Sequence, residues 1–176
     1  MKISKLRNKK YLILRKSTVC DAKDIIDYLN CVGGESDYLL FGKDEFILNV
    51  EEEKLYLKKI NKDSDSLMLL GIIDGEIISV SQVYNVEGER IKHNCEIAIS
   101  VKKKYWRNGI GTIIMKELID FAKEKNKKNI CLTVNGSNHQ AIKMYEKFGF
   151  KKIGENKEYY KVNNKFYNRI LMDLSI

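Results

Sequence analysis

The sequence predicts an α/β (α+β) domain with a mixed, mostly antiparallel central sheet flanked by helices. Three observations lead to this prediction. Three strand-like segments follow one another across short turns between residues 67 and 101. A helix, a strand and a second helix then follow between residues 110 and 148. Two further strand-like segments, at residues 150–154 and 166–174, end the pattern.

The N-terminal part predicts one strand and two helices. Residues 11–15 form the first strand, and apolar residues at helical spacing predict a helix over residues 21–31. We expect Gly33-Gly34 to end this helix. The sequence of residues 35–48 predicts a loop-rich segment. The second helix follows Asn49, which forms a capping box with the glutamate three residues later.

The central and C-terminal elements follow from turn and periodicity signals. Tight turns at Asp74-Gly75 and near Glu87-Gly88 separate the three central strands, predicted at residues 67–74, 76–86 and 90–101. One apolar face predicts a helix that begins at Ile110. A short strand at residues 130–134 and a helix at residues 138–148 come next.

Length and composition bound the class of protein. The 176 residues are 44% hydrophobic and 32% charged, which suits one globular domain over residues 1–176. No apolar run approaches the roughly 18 residues of a membrane span, and no secretory signal precedes the first strand. We therefore expect a cytoplasmic protein without membrane contact, in which the four cysteines are reduced thiols.

The net charge and the spacing of the histidines limit which ligands and partners we expect. The two histidines stand in no metal-ligand spacing, so we expect no metal site. The formal net charge of +8 favours an acidic partner such as a nucleotide-bearing cofactor. The lysines are scattered and accompany no nucleic-acid motif, which argues against a nucleic-acid partner.

The clearest site signal lies between residues 99 and 112, where a strand ends, a polar loop with Gly109 and Gly111 follows, and a helix begins at once. The first N–H groups of a helix lack internal partners and point outward at the positive end of its dipole. This arrangement suits a phosphate or pyrophosphate. Ile114 replaces the third glycine of a dinucleotide loop, and no Walker A lysine follows, so both of those nucleotide loops are excluded.

A second motif stands downstream, with the spacing Asn-x-x-Ala-x-x-x-Tyr-x-x-x-Gly-Phe. Its residues are Asn138, Ala141, Tyr145, Gly149 and Phe150. With both motifs in this order, the chain resembles the GNAT superfamily of N-acetyltransferases over roughly residues 91–154. The resemblance implies a GNAT-like acyl-CoA N-acyltransferase fold, acetyl-CoA as co-substrate and an amine as acceptor. One position departs from the family pattern: Trp106 stands where that pattern prefers Gln or Arg, and Arg107 follows it.

The resemblance also implies a cofactor site. Main-chain amides of the loop and the helix start hold the CoA pyrophosphate; they belong to Arg107, Asn108, Gly109, Ile110, Gly111 and Thr112. The strand end at Ile99, Ser100 and Val101 pairs with the pantetheine arm. Asn138 contacts the same arm, and Tyr145 lies near the thioester sulfur.

The family reaction, attack of a neutral amine on the thioester, needs an oxyanion site, an acid and a base. Main-chain N–H groups at residues 99–101 suit the oxyanion, and Tyr145 suits the acid that protonates the thiolate. Glu96, between apolar neighbours on the strand that leads to the loop, is the candidate base. His93 and water are alternatives, and a structural hydrogen bond of Glu96 or His93 is equally open.

The acceptor is the least determined part of the prediction. We expect residues 20–61 to form most of its site, with Asp37, Tyr38 and Glu45 as candidates for its lining. The positive charge argues against long basic peptides and favours a small-molecule amine. Transfer to a protein N-terminus or lysine, and a non-catalytic CoA-binding module, are the alternatives. A homodimer formed through the last strands is compatible with the sequence.

Overall fold

The computed structural model describes residues 1–6 and 8–176, and these residues form an eight-stranded sheet and four α-helices. The strands are β1 (Lys2–Lys5), β2 (Tyr11–Lys16), β3 (Leu67–Ile73), β4 (Glu76–Asn85), β5 (Asn94–Val101), β6 (Asn129–Asn135), β7 (Lys151–Val162) and β8 (Lys165–Ser175). The helices are α1 (Ala22–Glu35), α2 (Val50–Lys62), α3 (Ile110–Glu124) and α4 (His139–Lys147). Over the described ranges, no helix is long and apolar enough to cross a membrane.

The sheet is mixed and mostly antiparallel, as predicted. Its spatial order is β1-β2-β3-β4-β5-β6-β8-β7, and β5 and β6 form its parallel pair. The predicted capping box is also confirmed. The side chain of Asn49 accepts hydrogen bonds from the N–H groups of Glu51 and Glu52, and the Glu52 carboxylate accepts one from the Asn49 N–H at 2.8 Å. This cap fixes the start of α2 beside the cleft described below.

Apolar layers cover both faces of the sheet. In β3, Met68 and Leu70 belong to the core beneath α1 and α2, whereas Leu67 and Leu69 belong to the core beneath α3. Because side chains alternate along a strand, β3 is buried on both faces and reads as a continuous apolar run. Tyr145 of α4 joins the α3 core.

The first helix does not end at Gly33-Gly34, so that prediction is wrong. Both glycines lie inside α1, and the residue that follows the helix, Ser36, is extended. A Cβ atom at Gly33 would lie 2.2 Å from the carbonyl oxygen of Gly42. Glycine therefore stands here because the loop after α1 crosses the helix at van der Waals distance, and any larger residue would displace it.

The third central strand begins later than predicted. Residues 90–93 form a turn in which the N–H of Lys92 donates to the Gly88 carbonyl at 2.8 Å, and β5 starts only at Asn94. The N–H groups of Ile91 and Lys92 both bond to the Gly88 carbonyl and are therefore not available to a sheet neighbour.

The C-terminal strands are longer than predicted. β7 continues to Val162 because it pairs with β8 across a hairpin. The turn consists of Asn163 and Asn164, with φ angles of 49° and 59°. Asparagine tolerates this left-handed backbone better than most residues, so the Asn-Asn pair was a turn signal. β1, which pairs with β2, was not predicted.

Candidate active site

The parallel strands β5 and β6 separate after a short contact and so open the sheet. Their pairing ends at Glu96 and Cys131. β5 continues to pair with β4 as far as Val101, and β6 continues to pair with β8 as far as Asn135. Each strand therefore keeps one sheet neighbour, and residues 97–101 present the N–H and C=O groups of their other edge to the gap. A cleft of about 1400 Å³ occupies this opening and extends beneath α1 and α2.

The loop before α3 is held open toward the cleft. Arg107 and Gly109 have φ angles of 63° and 80°, and the Asn108 side-chain amide donates to the carbonyls of Tyr105 and Trp106, both at 3.1 Å. A Cβ atom at Gly109 would have no neighbour within 4 Å among the residues that the structure describes. The backbone here faces open space, and the N–H groups at the start of α3 have no partner within the helix. This loop can therefore accept an anionic group.

Glycine is needed at Gly111 for a different structural reason than at Gly109. A Cβ atom at Gly111 would lie 3.1 Å from the sulfur of Met144, so this glycine lets α3 and α4 approach closely. The first turn of α3 is thereby held beside α4, whose start carries Asn138. The Asn138 side chain caps α4 by accepting from the Ala141 N–H at 3.1 Å. Asn138 and Thr112 both line the cleft.

Trp106 ties the loop to the end of β5. Its indole N–H donates to the Val101 carbonyl at 2.7 Å, and its ring stacks on Tyr38 with centroids 6.3 Å apart. The Val101 carbonyl is thus already bonded within the protein. The Ser100 hydroxyl is occupied as well, because it accepts from the Tyr28 hydroxyl and donates to the Val80 carbonyl. Of these strand-end groups, the main chain of Ile99 remains open to the gap.

Tyr145 lies at the boundary between the core and the cleft. It is 9% exposed and packs on Phe150, with ring centroids 5.9 Å apart. Burial raises the pKa of its phenol to about 12. Among the described residues no side chain or main-chain group hydrogen-bonds its hydroxyl, although the residue lines the cleft. The hydroxyl is therefore free to bond to a bound molecule.

The structure separates the two candidate bases. Cys95 and Ile97 lie in the α3 core, so by strand alternation Glu96 points to the opposite face, where it is exposed and lines the cleft. His93 lies in the turn before β5 and is absent from the cleft lining. Its carbonyl accepts from the Lys128 N–H at 2.7 Å. Only Glu96 of the two stands where a bound molecule would meet it.

The predicted acceptor residues are only partly in the cleft. Tyr38 lines it, whereas Asp37 and Glu45 do not. The Glu45 carboxylate instead accepts from the Gly42 N–H at 2.7 Å and closes a turn. Glu53 on α2 was missed, although it lines the cleft. With Tyr56 it follows the spacing of the buried face of α2, so an acid on that face was the available signal.

Comparisons with known proteins point to one protein family. The model of the acetyltransferase (GNAT) family matches residues 38–150. The acetyltransferase PseH of Campylobacter jejuni is 31% identical over 123 residues, which cover 69% of this chain and 74% of that protein. A GNAT-family acetyltransferase from Streptococcus pneumoniae superposes with a TM-score of 0.89 at 28% identity, over 94% of this chain and 99% of that one.

A more distant solved structure shares the fold. The GNAT superfamily phosphinothricin acetyltransferase from Sinorhizobium meliloti, solved in complex with acetyl-CoA, has a TM-score of 0.80 at 14% identity. The superposition covers 94% of this chain and 88% of that one.

Proposed function

The chain belongs to the acetyltransferase (GNAT) family, and from that premise we propose that it transfers the acetyl group of acetyl-CoA to a primary amine of a small molecule. The amine attacks directly while both substrates are bound. The observation that carries this proposal is the separation of β5 from β6 directly beside the open loop before α3. These two features give one cleft an anion-binding end and a strand edge that can pair with amide groups.

The residues of the cleft fit acetyl-CoA. The open backbone at Gly109 and the free N–H groups of Arg107–Thr112 suit the pyrophosphate, and the Arg107 side chain adds a positive charge there. The open main chain at Ile99 suits the amides of the pantetheine arm, and Asn138 borders the same path. When bound, acetyl-CoA supplies the activated thioester.

Tyr145 acts as the acid of the proposed reaction. A phenol whose pKa is raised to about 12 keeps its proton throughout the physiological range. The hydroxyl has no other partner among the described residues, so it donates this proton to the sulfur of the departing CoA. Main-chain N–H groups of the free β5 edge stabilise the charge that develops on the acetyl oxygen.

Glu96 acts as the base that takes a proton from the amine, directly or through water.

We expect Glu96→Gln to lower kcat by about tenfold. This is less than the usual contribution of general-base catalysis, because water can also accept the proton. The affinity for acetyl-CoA should remain unchanged. Steady-state rates and calorimetric titration measure the two quantities. His93→Gln is the matched control and should leave kcat at the wild-type value, since His93 lies outside the cleft lining. Equal rates for wild type and Glu96→Gln would remove Glu96 from the reaction.

Calorimetric titration of the protein with acetyl-CoA, CoA and NADH tests the cofactor part of the proposal. We expect saturable binding of acetyl-CoA and CoA and no binding of NADH, since the loop has no third glycine for a dinucleotide. Binding of NADH, or no binding of either CoA species, would contradict the assignment of the cleft.

A further inference from the structure

A buried carboxylate stands in the half of the cleft that lies away from the α3 loop. Glu53 is 1% exposed, yet it lines this part of the cleft, beneath α1 and α2. The lining contributed by α1, the loop after it and β3 is mostly apolar and includes Leu29, Val32, Leu39, Phe41, Phe46 and Met68. A charged group in such surroundings requires a partner, because burial without one is costly.

Glu53 has no such partner in the described part of the chain. No hydrogen bond or ion pair reaches its carboxylate there, and burial alone raises its pKa. The polar neighbours are already engaged, since the Tyr56 hydroxyl and the Gln82 amide hydrogen-bond each other at 2.7 Å. An unpaired carboxylate in a cleft is a site for a donor that arrives with a ligand.

The charges of the cleft point to a cationic ligand. Although the chain has a net charge of +8, the cleft lining within the described part of the chain contains the carboxylates of Glu35, Glu53, Glu96 and Asp173. Its single Arg or Lys side chain is Arg107, at the α3 loop. The Glu35 carboxylate is already bonded to the Lys103 N–H at 2.7 Å, and that of Asp173 is near the Cys131 thiol. Glu53 and Glu96 are therefore the carboxylates left for the ligand.

The carboxylates of Glu53 and Glu96 both raise the pKa of one phenol, that of Tyr84. Tyr84 pairs with Glu96 across β4 and β5, and burial, the neighbouring Tyr56 hydroxyl, and the Glu96 and Glu53 carboxylates raise the pKa of Tyr84. Glu53, Tyr84 and Glu96 all line the same cleft, so a molecule bound at Glu96 shares its cavity with Glu53. Among the residues that the structure describes, no lysine or arginine lines this half of the cleft to bind a carboxylate on such a molecule.

We propose that the acceptor is a small amine with a second cationic group and no carboxylate, and that Glu53 binds this second group while the reacting amine lies at Glu96. The inference rests on the proposed acetyl transfer and names the substrate class of the same site. The Glu53 carboxylate lacks a partner in the free protein and gains one when the second cationic group binds. Glu53 thus determines which amines the site prefers.

Three amines with the same four-carbon chain test the proposal: putrescine, n-butylamine and γ-aminobutyrate. We expect kcat/KM to be highest for putrescine and lowest for γ-aminobutyrate. Glu53→Gln should lower kcat/KM for putrescine about tenfold or more, since a hydrogen bond to a charged group is lost, while n-butylamine changes little. Glu51→Gln makes the same charge change at an exposed position of α2 and should keep the wild-type preference.

The outcomes separate this inference from the proposed function. An unchanged putrescine preference in Glu53→Gln, or a wild-type preference for n-butylamine or γ-aminobutyrate, overturns the inference but leaves acetyl transfer standing. Transfer to other amines with none to these three likewise overturns it. Failure to acetylate any amine, together with failure to bind acetyl-CoA, overturns both.

Thermal unfolding gives a second readout for Glu53. Because its pKa is raised in the folded state, the ionised carboxylate destabilises the fold as pH rises above the ordinary value of 4.5. The titratable groups near it, Tyr56 on α2 and Tyr84 on β4, carry no positive charge. Glu53→Gln should therefore raise Tm at neutral pH but not below that value, and putrescine should raise the Tm of the wild type alone. A lower Tm at neutral pH, or an equal effect of putrescine on both proteins, would contradict the proposal.

Discussion

Replacing Gly109 with valine is expected to weaken acetyl-CoA binding by about a hundredfold or more, the effect of losing two hydrogen bonds to a charged group. The φ angle of 80° at Gly109 is strained for a β-branched residue, so the loop changes conformation and its N–H groups turn away from the pyrophosphate. A side chain at this position also projects into the open space that the ligand requires. Calorimetric titration with acetyl-CoA measures the loss.

Gly75 offers a closely matched control. It has a φ angle of 81°, and no described residue lies within 4 Å of a Cβ atom built there. It lies in the turn between β3 and β4, outside the cleft lining. Gly75→Val therefore introduces the same backbone strain without touching the proposed site. We expect it to lower Tm and to bind acetyl-CoA like the wild type. Undiminished affinity in Gly109→Val would show that the loop does not hold the cofactor.

Tyr145→Phe is expected to lower kcat by roughly a hundredfold, the lower end of the usual contribution of general acid catalysis. The affinity for acetyl-CoA and the Tm should stay near the wild-type values. Phenylalanine keeps the packing on Phe150, and the lost hydroxyl has no partner among the described residues. The loss should therefore fall on proton donation to the thiolate. Initial rates at saturating substrate, calorimetric titration with acetyl-CoA and thermal unfolding measure the three quantities.

A second tyrosine in the same cleft separates chemistry from packing. Tyr160 is 8% exposed and also lines the cleft, but on the long strand β7. Tyr160→Phe should leave kcat close to that of the wild type. If the two variants lose activity equally, the effect of Tyr145→Phe is one of packing, and if Tyr145→Phe turns over like the wild type, the proton comes from another group.

The sequence predicted the fold best where one local signal had one structural cause. The capping box at Asn49 and the turn at Asp74-Gly75 depend only on neighbouring residues, and both lie where the sequence predicts them. The prediction that the helix ends at Gly33 failed because a distant residue explains this glycine: the backbone of Gly42 crosses the helix there. A glycine pair alone does not distinguish the end of a helix from a close crossing.

In the candidate site, too, local features were predicted and features that depend on distant residues were not. The motifs located the loop before α3 and the start of α4, because their residues are close together in the chain. The role of Trp106 as a tie to Val101, and the exclusion of His93 from the cleft lining, depend on the course of the loop and of the turn before β5. Glu53 lies more than forty residues before Glu96, and only the folded sheet brings both to one cleft. Residues that we propose to bind the acceptor, such as Glu53 and Glu96, have no fixed spacing in the sequence by which they could be predicted.

The most direct test of the proposed activity follows the acetyl group itself. The protein is incubated with isotopically labelled acetyl-CoA and a panel of primary amines, and mass spectrometry records the amine products while thiol release is measured in parallel. We predict that one labelled acetyl group appears on an amine of a small molecule at the rate of CoA release, and that Tyr145→Phe slows both equally. Release of CoA without a labelled amine, or label found only on added proteins, would contradict transfer to a small-molecule amine.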